Sequence, residues 1–174
     1  MTDRNDNPAV ALGPRIVASG GFTALYREGM ALIEEVAAYL DGDGRTQSRG
    51  LPREASFVYA TESMRLTTRL MQLASWLLLQ RAVNEGELTF DQARTEKMKV
   101  KLSPFPALAP DVLELLPKKL CVLISDSRRL HDQVLRLDAL VYGGGSILPA
   151  ETPSASNPVE SQLGLLKAAF GQDR

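Results

Sequence analysis

The sequence predicts an all-α fold: an antiparallel three-helix bundle of long helices over residues 19–142, between a flexible arm (1–18) and a flexible tail (143–174). Three observations predict it. Apolar residues recur at alternating steps of three and four over three long stretches. Clusters of Gly, Pro and Asp separate those stretches. The flanks carry Ser, Pro and small residues with no such period, which is the composition of chain that stays unpacked.

The first helix is expected to follow an N-cap at Ser19 and to run to about residue 40. Phe22, Leu25, Gly29, Leu32, Val36 and Tyr39 form one stripe; Tyr26, Met30, Ile33, Ala37 and Leu40 form a second beside it. Two adjoining stripes mean a wide buried face. Gly29 weakens a helix by roughly 1 kcal/mol relative to Ala, so it points to close approach of a neighbour. Asp41, Gly42, Asp43 and Gly44 are expected to end the helix, and residues 45–52 to form a polar, arginine-bearing loop.

The longest helix is expected over 53–84, about 48 Å at 1.5 Å per residue. Tyr59, Ser63, Leu66, Leu70, Leu73 and Leu77 keep a four-three rhythm, a dimer or bundle seam. Phe57, Ala60, Met64, Thr67, Met71, Ala74 and Leu78 form another stripe alongside, with Trp76 on a third side. A bundle of three helices leaves so much apolar surface short of cover, and a homodimer would supply it. Thr89 with Gln92 is a capping-box pair opening a short helix over 90–99. Pro104, Pro106 and Pro110 make a helix-free connector. The last helix, starting near Asp111 or with Pro117 in its first turn, runs to Tyr142, carries Leu116, Leu120, Leu123, Ser127, Leu130, Val134, Leu137 and Val141, and is stopped by Gly143–Gly145. In the tail, Leu163, Leu165, Leu166 and Phe170 form a short apolar motif suited to docking in a partner's groove; folding back on the bundle is the alternative.

Composition narrows the function. A net charge of -1 provides no basic field for nucleic acid or anionic lipid. No apolar run reaches the roughly 20 residues of a membrane span. The polar N-terminus has no signal core, and the single cysteine, Cys121, forms no internal disulfide, so the cytoplasm is expected. The single histidine, His131, excludes multi-histidine metal sites, and Arg128 stands where a di-iron helix needs Glu. On one helix, Cys121 and His131 are separated by roughly 15 Å of rise, too far for a nucleophile–base pair. Ser127 and His131 share a face, but Asp138 lies roughly 10 Å along the axis and no oxyanion hole is at hand. The Asp41–Asp43 segment fails as a calcium loop, with Arg45 and Pro52 at ligand positions. No phosphate-cradling glycine motif occurs. No catalytic, metal or cofactor site is therefore expected, and a scaffold that binds proteins is. A helical DNA-associated transcriptional regulator is the alternative, against which the charge balance argues.

Two blocks, FTALYREGMALIEEVAAYLDGDGR (22–45) and SFVYATESMRLTTRLMQLASWLLLQRAVNEG (56–86), resemble the RcdA family of alphaproteobacteria, and the likeness extends through TFDQARTEKMKVKL (89–102). The resemblance covers about residues 19–142 and implies a bundle that dimerises. It also implies a non-enzymatic adaptor for degradation of cell-cycle regulators by the ClpXP protease. The substrates implied include CtrA; the implied partners are a CpdR-like response regulator and a PopA-like effector, with recruitment to a cell pole.

Overall fold

The computed structural model describes residues 20–143, and the expectations placed on 1–18 and on the tail, including Leu163, Leu165, Leu166 and Phe170, lie outside the described residues. Six helices follow one another: α1 (Gly20–Asp41), α2 (Asp43–Arg49), α3 (Arg53–Asn84), α4 (Phe90–Lys97), α5 (Pro110–Glu114) and α6 (Lys118–Tyr142). Among the described residues there is no strand. The long helices α1, α3 and α6 each pack against the other two.

The apolar rhythms decide which faces are buried. On α1 the buried set is Phe22, Leu25, Gly29, Leu32, Val36 and Tyr39, the first stripe residue for residue. Leu66, Leu70, Leu73 and Leu77 of α3 meet Leu120, Leu123, Leu130 and Val134 of α6 in the same core. A Cβ at Gly29 would lie 2.4 Å from Leu77 Cδ1, so the missing side chain is what lets α1 approach α3 there.

Direction along the core follows from the cross-helix pairs. Phe22 faces Trp76 and Tyr26 accepts a hydrogen bond from Arg81, whereas Tyr39, at the other end of α1, lies near Tyr59; α1 and α3 are antiparallel. Glu28 pairs with Arg129 and Glu35 with Lys119, so α1 and α6 are antiparallel as well. Arg69 bonds Ser127, Trp76 bonds Asp138 and Gln80 bonds Tyr142, a rising series on both helices. Thus α3 and α6 run parallel. The expected all-helical fold holds, and the one detail corrected is the antiparallel order, since the third long helix runs parallel to the second. Residues 85–117 do not form a short hairpin; they return the chain along the full length of α3 before α6 begins.

The return path is fastened at both ends. At the α4 end, Phe90 stacks on Tyr142 with ring centres 5.4 Å apart, and Lys97 pairs with the same Asp138 carboxylate that accepts the Trp76 indole proton. The expected capping box is present: Thr89 Oγ1 accepts from the Gln92 amide and Gln92 Oε1 accepts from the Thr89 amide. At the far end, Ala107, Leu108, Ala109 and Val112 lie along Val58, Thr61 and Arg65 of α3. Pro110 opens α5 at its first helical position, where the absent amide proton is harmless.

A second correction concerns residues 45–52, expected as a loop. Residues 43–49 are helical, and Gly44 within them is buried where a Cβ would lie 2.6 Å from Tyr59 Oη and 2.8 Å from Tyr39 Cε1. Tyr39 also donates to Gln47 Oε1 at 2.9 Å, which tacks α2 to α1.

Candidate interaction surface and buried cationic cluster

Three longitudinal rows divide α3. At about 100° per residue, positions two apart lie nearly opposite on a helix and positions seven apart nearly eclipse. Leu66, Leu73 and Leu77 face α1 and α6. Next to them, Ala55, Glu62, Arg69 and Trp76 form a buried row at sevenfold spacing. On the opposite side, Phe57, Met64, Met71 and Leu78 are 75, 72, 66 and 50% exposed. These four also recur every seven residues, with Ala60, Thr67 and Ala74 between them. That is the pattern of a coiled-coil seam, here turned to solvent over about 32 Å of helix. Leu66, Leu70, Leu73 and Leu77, named from sequence as a dimer or bundle seam, are 0 to 5% exposed inside the chain's own core. The outward row is a different face of the same helix.

The buried row was not read from the sequence, because Glu62, Arg69 and Gln80 pass for solvated residues. Its signal was available: Glu62, Arg69 and Trp76 share one face. Arg69 is 1% exposed. Its Nη1 donates to Ser127 Oγ at 2.6 Å, and Ser127 donates in turn to Ile124 O at 2.7 Å. The Phe105 ring covers the guanidinium, 4.5 Å from Cζ to the ring centre. His131, 2% exposed, meets the same ring edge-on at 5.3 Å. Arg128 Nη2 donates to the Phe105 carbonyl at 3.0 Å. Among the described residues, Arg69 Nε and His131 Nε2 have no hydrogen-bond partner. Burial, reinforced by Arg128, pulls the Arg69 guanidinium down to about 10. Burial, then Arg69, hold the His131 imidazolium below its ordinary value.

The groups weighed for catalysis are engaged elsewhere. The Ser127 proton goes to a backbone carbonyl rather than to His131. Asp138 holds Trp76 and Lys97. Cys121 is half-buried, its thiol toward Leu113 O at 3.5 Å, and burial pushes its pKa up, away from the reactive thiolate. Among the described residues, no group of three or more His, Cys, Asp or Glu side chains could hold a metal ion. No helix among them is long and apolar enough to cross a membrane.

Comparison with known proteins supplies the relationship. A family described as "Protein of unknown function (DUF1465)" matches residues 13–170. The crystal structure of RcdA from Caulobacter crescentus CB15 matches with 47% identity, a TM-score of 0.60, and coverage of 72% of this chain and 93% of that one. The chain belongs to the RcdA family. Comparison with curated proteins gives no match. RcdA and this chain thus share a helical fold.

Proposed function

We propose that the chain is a non-enzymatic adaptor that brings cell-cycle regulators to the ClpXP protease through protein–protein contacts, and that it works as a homodimer. Its relationship to RcdA supports an adaptor role. The observation that carries the reading is the outward row of α3. Four large apolar side chains on one helix face, each at least half exposed, are a docking face rather than scattered surface residues. The α3 row meets a second copy, and the rest of the surface and the Leu163, Leu165, Leu166 and Phe170 motif are left for other proteins. Those proteins are a CpdR-like response regulator, a PopA-like effector, CtrA and further substrates, met in the cytoplasm and at a cell pole. Joining weak contacts on one rigid body raises their effective concentration, which is the physical basis of adaptor action.

The test is a degradation assay with purified components. Adding the chain is expected to accelerate loss of a CtrA-type substrate when ClpX, ClpP and the partner proteins are present, and to do nothing when ClpX is omitted. An unchanged rate with every candidate substrate would refute the proposal.

A further inference from the structure

The geometry points to a latent oxyanion-binding site in the α3–α6 groove, formed by Arg69, Arg128 and His131 and closed by the Phe105 ring. Its ligand is a small phosphate or carboxylate group.

Three groups able to carry positive charge converge on one aromatic residue, Phe105, which sits in helix-free chain between α4 and α5. Arg69 has no ion pair with any carboxylate among the described residues, although it is 1% exposed. Glu62 and Asp132 act on the guanidinium only from beyond ion-pair distance; a buried guanidinium with no carboxylate in contact is costly, and a ring face returns only part of what an anion in contact would give. The groups facing His131 are Arg69 from α3, Arg128 and Asp132 from its own helix, and the uncharged Phe105 from the connector. Glu62, the nearest acid on α3, is engaged with Arg65 at 2.7 Å. Lifting Phe105 would uncover Arg69 Nε and His131 Nε2, the two orphaned nitrogens, and release the Arg128 guanidinium from the Phe105 carbonyl. An oxyanion in place of the ring could accept from both arginines in charge-assisted bonds and from the imidazolium once protonated. The segment that must move lacks helical hydrogen bonds of its own, so its displacement leaves the three long helices intact.

This inference is independent of the proposed adaptor role, since it concerns a face of α3 opposite the outward row. The test uses the full chain and its single histidine, whose imidazole resonances report on this cluster alone. Inorganic phosphate and acetate are titrated separately against chloride at matched ionic strength. In F105A, either anion is expected to shift the His131 resonances saturably and to raise the His131 pKa. The wild-type chain should require about tenfold more anion, because its site is open only a fraction of the time. Adding Arg69→Gln to F105A should abolish the response. A phosphate response without an acetate response assigns a phosphate group, and the converse a carboxylate; both support the site. A helical, cooperatively melting F105A whose His131 ignores both anions would overturn it, as would an undiminished response after Arg69→Gln. If F105A does not fold, amide exchange in the wild-type chain decides. Faster exchange over residues 99–109 in phosphate or acetate than in chloride supports the site, and equal exchange refutes it.

Discussion

At the scale of single residues, His131 shows how one buried group ties stability to pH. Burial, then Arg69, hold its imidazolium pKa in the folded chain below the unfolded value of about 6.5. As pH falls through that value the unfolded chain takes up the proton first, so it binds more protons than the folded one. Stability therefore rises with pH in the window between the two pKa values, and His131's contribution is lost on acidification. Urea unfolding at about pH 7 and about pH 5 is expected to show a steeper loss in the wild-type chain than in His131→Gln, by at most about 1.4 kcal/mol per pH unit. Equal slopes would show that another group governs the acid limb. The sequence made legible that His131 shares a helix face with Ser127. What could not be read was its company, because Arg69 comes from another helix and Phe105 from a connector whose path no local pattern fixes.

At the scale of elements, legibility followed the strength of the local code. The α1 stripe from Phe22 to Tyr39 and the α6 stripe from Leu120 to Val141 were readable because each apolar residue lies on one helix face and is buried there or half-buried. α4 was readable from its cap alone, since Thr89 and Gln92 satisfy each other's amides without help from the rest of the fold. Thr89→Ala is accordingly expected to loosen α4 by about 1 kcal/mol. Amide exchange within residues 90–97 should rise about fivefold while that of α1 stays unchanged; a uniform rise across all helices would show that α4 opens only with the whole fold. The α2 segment was hidden because Gly42 before it and Gly44 within it look like a stop. Gly44 is small in order to fit beneath Tyr39 and Tyr59, and that reason lies in packing rather than in the local sequence. The parallel course of α3 and α6 was equally hidden. The connector over 85–117 is long enough at about 3.3 Å per residue to span α3 in either direction, so its length could not choose between them.

At the scale of the whole molecule, the outward row of α3 sets the expectation for assembly. Light scattering at micromolar concentration should give twice the chain mass, and Met64→Glu with Met71→Glu should halve it. Both side chains are exposed, at 72 and 66%, so helical content and monomer stability should hold to within about 0.5 kcal/mol per site. A wild-type chain of monomeric mass would remove the dimer from the proposal while leaving the family relationship untouched.

The parallel pairing of α3 with α6 also has a mechanical consequence. Because Phe22 of α1 faces Trp76 and Tyr142 of α6 meets Gln80, the chain enters and leaves the helical body at the same end. Tension applied at residues 20 and 143 would load the contact rows one after another, starting from that end, and not all at once in shear. A body held together by a continuous leucine core would thus part under a pull as a zip does, tooth by tooth.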